Sequence, residues 1–225
     1  MSKPAKTGVC ALVLLVCGFG VVRPCFAFDD GDFQLWVSGG TSVDLNDDFK
    51  ATLAEELRYG GNAGRLYYHH TEVGLVYGGL ADWLDLGFNY RQIFEEDSSG
   101  QWRPENRPHL NATVKGQVSG FSVSDRSRFE YRDRENKKDM WRYRNKVTVK
   151  FPAELTCLKL KPYVAEEVFV DLDDGDYNKN RLYAGFSFDL TKRAKGGIFY
   201  VWQASKSAGA WKDLHVLGAQ LKIPH

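Results

Sequence analysis

The side chains with the most chemistry in this sequence are charges set two residues apart. Arg126, Arg128, Glu130 and Arg132 make one such run, and Arg142, Arg144, Lys146 and Lys150 another. In an extended chain, side chains at i and i+2 share a face, so each run would stack its cations on one wall of an enclosed interior. Lys115 joins that wall. Glu56, Arg58, Glu72, Asp85, Arg91, Arg181, Asp189 and one of the neighbours Glu166 and Glu167 occupy the polar rows of other segments. Cations massed on one side, with carboxylates opposite, would favour anions in the bore, as charged pore linings do. The plainer outcome is internal neutralisation, because charges taken out of water must be paired.

Other chemistry is thinly represented. His70 and Glu72 share a strand face, so a rim site of the lipid-hydrolysing kind has a His–carboxylate pair to draw on, with His69 and His215 as further histidines. No signature marks a serine nucleophile, and a pair is not a triad. Adjacent His69 and His70 point to opposite faces and cannot share a metal. The run Asp171-Leu172-Asp173-Asp174-Gly175-Asp176 has calcium-loop spacing but lacks the closing glutamate, and reads as an exposed acidic loop. No phosphate-binding glycine loop occurs, and Cys157 has no histidine near it in sequence. No catalytic residue, metal ligand or cofactor is assigned.

The elements that must carry these rows alternate apolar and polar residues at period two. Eleven segments result: 33–45, 49–59, 66–77, 83–94, 109–118, 121–134, 141–151, 158–170, 180–190, 196–204 and 214–223. Most run about 9–14 residues, the length of tilted membrane strands rather than the 5–6 usual in soluble sheets. In the seventh segment Trp141, Tyr143, Val147, Val149 and Phe151 oppose Arg142, Arg144, Lys146, Thr148 and Lys150. Apolar stripes ending in Tyr59, Tyr77, Tyr90, Trp141 or Phe151 suggest interfacial aromatic girdles. Glu55 and Asn145 break two of those stripes. Brief links such as Ser119–Gly120 alternate with longer ones such as Glu95–Pro108 and Ser205–Asp213, and the longer set, with Trp102 and the aspartate run, is expected to face outward.

Lys3 and Lys6 precede an uncharged, mostly apolar run from Val9 to Val22, and Cys25-Phe26-Ala27 offers a cleavage site before Phe28. Residues 1–27 are therefore expected to be a signal peptide and residues 28–225 the folded domain. Their removal takes away Lys3, Lys6 and Arg23, turning a formal charge of +1 into −2, which argues against a nucleic-acid partner. Only Cys157 would then be left of the 4 cysteines, so no internal disulfide is available. Beyond the signal no apolar run is long enough to span a bilayer as a helix, and a membrane form must use closed strands. The fold class expected is all-β, a single antiparallel up-and-down transmembrane barrel of 10–12 strands, even counts being usual in bacteria.

Several fragments are similar to a known family. Leu35-Trp36-Val37-Ser38, Glu56-Leu57-Arg58-Tyr59, Gly87-Phe88-Asn89-Tyr90-Arg91, Lys161-Pro162-Tyr163-Val164-Ala165-Glu166-Glu167, Asn180-Arg181-Leu182-Tyr183-Ala184-Gly185 and His215-Val216-Leu217-Gly218 resemble, in order and spacing, the domain of unknown function 2490 family of bacterial outer-membrane barrels. The resemblance implies location and architecture, with outer-membrane lipids and the barrel-assembly machinery as partners, and carries no catalytic residue or oligomeric state. The ending Leu221-Lys222-Ile223-Pro224-His225 departs from the terminal aromatic usual in such barrels.

Overall fold

A computed structural model describes residues 30–207 and 209–224; the expected signal segment, residues 1–27, lies outside the described residues. Eleven strands follow one another: β1 (Asp32–Asp44), β2 (Phe49–Gly60), β3 (Arg65–Ala81), β4 (Leu84–Glu96), β5 (Trp102–Val118) and β6 (Phe121–Arg134), then β7 (Met140–Lys150), β8 (Lys161–Asp171), β9 (Asp176–Thr191), β10 (Ala194–Ser207) and β11 (Ala210–Pro224). Each pairs antiparallel with its neighbour, and β1 pairs with β11 to close a barrel.

The count is odd, and parity dictates the seam. When successive strands reverse direction, the first and eleventh must run the same way, and β1 and β11 pair in parallel from Asp32↔Leu214 to Ser42↔Pro224. The barrel is thus antiparallel everywhere except at its seam. β1 starts at one end, here the N-terminal rim, and β11 finishes at the other, the C-terminal rim.

Alternation decides the faces, as period two requires. Leu53, Val73, Phe88, Leu110, Phe129, Val147, Val164, Leu182, Ile198 and Leu217 are exposed on the outside. Aromatic pairs gather toward both rims. Phe49–Tyr77 (4.9 Å) and Phe121–Phe151 (5.4 Å) lie by the C-terminal rim, and Tyr131–Trp141 (5.1 Å) and Tyr177–Trp211 (5.6 Å) by the N-terminal rim. The two residues that break the outer stripes are paired across strands. Glu55 accepts a hydrogen bond from the Thr71 hydroxyl, and Asn145 donates to Asp125 at 2.5 Å.

The expected rhythm of brief and long links holds only in part: residues 82–83 and 119–120 are briefer than 97–101 and 135–139, but the pattern breaks elsewhere. The stretch read as a 95–108 loop is mostly strand, because Glu105 and Arg107 turn inward while Pro104 and Pro108 turn outward. The connection shrinks to residues 97–101, and the link through Cys157, between β7 and β8, is longer. Loop length therefore does not orient this barrel. Cys157 itself is exposed.

The short 97–101 connection is organised by one carboxylate. Asp97 accepts hydrogen bonds from the Ser99 hydroxyl (2.6 Å) and amide (2.8 Å), the Gln101 amide (3.1 Å) and Arg103 Nε (2.7 Å). The Ser99 hydroxyl and the Arg103 guanidinium together hold its carboxyl well below the ordinary 3.8. A carboxyl depressed in this way stabilises the fold fully above that ordinary value and loses its effect only as pH falls through the lower folded value. Hydrogen exchange should therefore show the Ser99 and Gln101 amides still protected at pH 4, and unprotected at pH 7 in Asp97→Ala. Equal protection in the two proteins would refute the assignment.

Candidate functional site

The inner rows converge on a charged interior. Glu130 of β6 is fully buried and is its centre. It accepts hydrogen bonds from Arg142 (2.7 and 3.0 Å) and Arg144 (2.7 Å) of β7, with Arg107 at 3.8 Å and Arg128 at 3.5 Å. Glu167 of β8 is the second hub, taking Arg144 (2.6 Å), Arg126 (2.8 Å) and the Tyr183 hydroxyl (2.9 Å), with Arg181 at 3.6 Å. Glu166, left open by the alternation, faces outward and accepts from Asn180. Toward the N-terminal rim Glu105 holds Arg132 through both oxygens at 2.8 Å and Arg107 at 2.7 Å. Forked guanidinium–carboxylate pairs of this kind are the strong ones.

The remaining predicted lining residues fall into two groups. Glu56 pairs with Arg58 on its own strand (2.6 Å), and Glu72 with Arg91 on the next (2.7 Å). Asp85–Lys115 (2.8 Å) and Asp189–Lys161 (3.8 Å) sit part-exposed toward the C-terminal rim, not in the enclosed lumen. The predicted field across the bore, with cations on one wall and carboxylates opposite, is not what forms. Carboxylates lie among the arginines and pair with near neighbours. The wall facing the charges, formed by β10, β11 and β1, carries an apolar cluster, with Trp36, Val201 and Val216 buried against Phe199 and Leu214, and the uncharged Gln34 and Gln203 are buried on the same wall.

Aromatic faces take the cations that carboxylates do not fully occupy. Arg58 lies between Trp36 (4.0 Å) and Tyr68 (4.2 Å). Phe169, 2% exposed, has Arg144 at 4.5 Å, Arg181 at 4.9 Å and Arg142 at 5.5 Å around its ring. Lys146 places its ammonium 3.7 Å from the centre of the Tyr183 ring. A desolvated cation over a ring gains about 2 kcal/mol. Phe199 lies over Gly218, where a Cβ would meet its ring at 2.1 Å. Only glycine lets that ring lie so close to the wall.

Two consequences follow for access. Around the N-terminal half Gln34, Tyr68, Ile93, Glu105, Arg107, Glu130, Met140, Arg142 and Phe169 are all buried, so side chains fill the bore there. Below them a cavity of about 180 Å³ opens, lined by Arg58, Arg91, Arg126, Arg128, Arg144, Lys146, Arg181, Glu56 and Glu167, with Trp36, Tyr163, Tyr183 and Phe199. Outside, on β2 to β6, Phe49, Leu75, Leu86, Phe88, Leu110 and Phe129 shape an apolar groove of about 530 Å³.

His70, considered for a rim site, is 4% exposed inside the lumen, its Nδ1 4.0 Å from Glu56. His69 turns outward against Phe94 and Trp102, and His215 outward to the Tyr200 hydroxyl (2.6 Å). Among the described residues no hydrogen bond joins a serine hydroxyl to a histidine. Of the aspartate run, Asp171 accepts from Asn178 and Asp176 pairs with Lys206 (2.9 Å). Glu105, Arg107, His109, Lys179 and the Phe169 post were not singled out from sequence. The first three continue the inward parity of Asn111 and Thr113 backwards past Pro108, which is the signal that was available.

Long strands, apolar outside and ionic inside, define an outer-membrane-like β-barrel with a plugged, cation-rich lumen. The chain belongs to the family described as Protein of unknown function (DUF2490), which it matches over residues 33–213. Among solved structures it is similar to the outer-membrane expressed OmpT of Vibrio cholerae, at 11% identity and a TM-score of 0.39, over 72% of this chain. The match spans 57% of that chain. A search of curated proteins finds no match.

Proposed function

We propose that the protein is a non-catalytic outer-membrane barrel whose lumen handles small anions and is closed in the state described by the ion-pair plug around Glu130. The observation that carries this reading is the division of faces. Leucine, valine and phenylalanine are exposed on the outside, while Arg128, Glu130, Arg142, Arg144 and Glu167 are buried inside. A soluble barrel binding an apolar ligand would need the opposite arrangement. Lipid accepts no backbone hydrogen bonds, and a closed barrel leaves none unmet. The outer groove on β2 to β6 suits an acyl chain, which makes membrane lipid its natural neighbour. A lipid-hydrolysing rim site finds no support, since His70 lies inside the barrel.

The protein is expected in the outer-membrane fraction, migrating differently on a gel before and after boiling. In planar bilayers it should be closed for most of the recording and pass anions over cations in its open bursts. Arg144→Ala should reduce that preference, because it removes a cation shared by the plug and the cavity. Steady cation-selective conductance would rule the reading out.

A further inference from the structure

We infer that the cavity beneath the plug is a binding site for a multivalent tetrahedral oxyanion of the phosphate class, entering from the C-terminal rim. This rests on the reading of the lumen above and adds a ligand class and a direction of entry.

Charge balance is the first ground. Seven cations and two carboxylates line the cavity. Adding Glu72 and Glu130, which hold Arg91, Arg128 and Arg144 from behind, still leaves three positive charges unmatched. Burying like charges together is costly unless a counter-charge joins them. One chloride would offset a third of that excess, whereas a multivalent oxyanion offsets most of it.

Donor capacity is the second. The buried Nη1 of Arg128 and the Nε atoms of Arg126 and Arg144 have no hydrogen-bond acceptor. Lys146 meets a ring and, among the described residues, no carboxylate within ion-pair distance. These three atoms are themselves shut off from water, so they raise the cost of the unmatched charge, while the side chains that carry them line the cavity. They come from β6 and β7, with Arg58 on β2 and Arg181 on β9 across the cavity. Donors converging from several walls fit a tetrahedral acceptor better than a planar carboxylate, and arginine forks match phosphate oxygens.

Access is the third. The cavity is capped on the N-terminal side by the plug. On the other side Lys222 is the register partner of Lys195 on β10, and Lys150 ends β7 at the same rim. These lysines, beside the paired Asp85–Lys115 and Asp189–Lys161, leave a local positive patch at the open mouth that draws anions inward. The volume of about 180 Å³ holds several waters or one small oxyanion with its shell, but not an acyl-bearing lipid.

The test uses the folded protein in an uncharged, phosphate-free detergent at constant ionic strength. Inorganic phosphate should raise the unfolding midpoint saturably, and chloride should not. Glycerol phosphate in a parallel titration separates a phosphoryl group carried on a solute from the free ion, and a response to either supports the site. Lys146→Met and Arg126→Gln should each weaken phosphate at least tenfold, while Lys137→Gln at the far rim should leave it unchanged. Two variants guard against one failing to fold. A flat phosphate titration, a chloride response equal to it, or unaltered affinity in both variants would overturn the inference. Because no membrane or current is involved, those results leave the barrel's location untouched. A protein that bound phosphate yet was soluble without detergent would instead sink the membrane reading and spare the site.

Discussion

Glu130→Gln is expected to lower unfolding stability in detergent by about 3–5 kcal/mol, or to prevent folding, which is the cost of removing one partner from a buried ionic cluster. Glutamine keeps the volume and loses the charge. Arg142 and Arg144 then lack their hydrogen-bonded counter-ion, and Arg107 and Arg128 lack the charge that lies 3.8 and 3.5 Å from them. Denaturant unfolding monitored by tryptophan fluorescence measures the effect. Adding Arg142→Met should recover part of the loss, because it removes one of the stranded cations. Glu154→Gln, on an exposed pair with Lys161 in the connection between β7 and β8, should cost under about 1 kcal/mol. A Glu130→Gln protein as stable as its parent would mean that water screens the cluster, and the plug would then be wet rather than closed.

Leu110→Arg is the second large effect, and it reports on the opposite face. Leu110 sits across from Phe88 on the neighbouring strand, and the two are 58% and 59% exposed. In water an exposed leucine-to-arginine change stays within roughly 0.5 kcal/mol. At mid-height in a bilayer the same change costs about 2–4 kcal/mol. Folding from urea into lipid vesicles distinguishes these outcomes. Leu158→Arg, in the connection between β7 and β8, should be neutral in the same assay. A neutral Leu110→Arg would mean that the outer band does not meet hydrocarbon.

Much of the architecture was legible because one face of every strand must be greasy and the other charged. Eleven segments read at period two correspond to eleven strands, and Glu130, Arg142 and Arg144 could be set on a common face by parity alone. The failures have a physical cause. Arg103-Pro104-Glu105-Asn106-Arg107-Pro108 carries two prolines and no apolar row, the pattern of a loop. In a barrel with an ionic interior, charged residues can be the inward row. The prolines are tolerated because β5 pairs with β4 throughout but leaves Arg107 and Pro108 unpaired with β6, where the absent amide costs nothing. Which carboxylate serves which arginine was not legible, since alternation fixes a face and not a partner. Phe169 as a post for three arginines was hidden for the same reason.

The parallel seam also sets the order in which the ring can be made. Every antiparallel neighbour is a hairpin or nearly so, reached by closing a loop of a few residues. The seam joins the ends of the chain: the Thr41 hydroxyl bonds the carbonyl of Ile223, 182 residues onward. Loop-closure entropy makes so distant a contact the last to form. Until β11 arrives, β1 presents a bare strand edge, the kind of surface that invites another chain. A curved sheet of ten strands, bare at both β1 and β10, is therefore the vulnerable species in assembly.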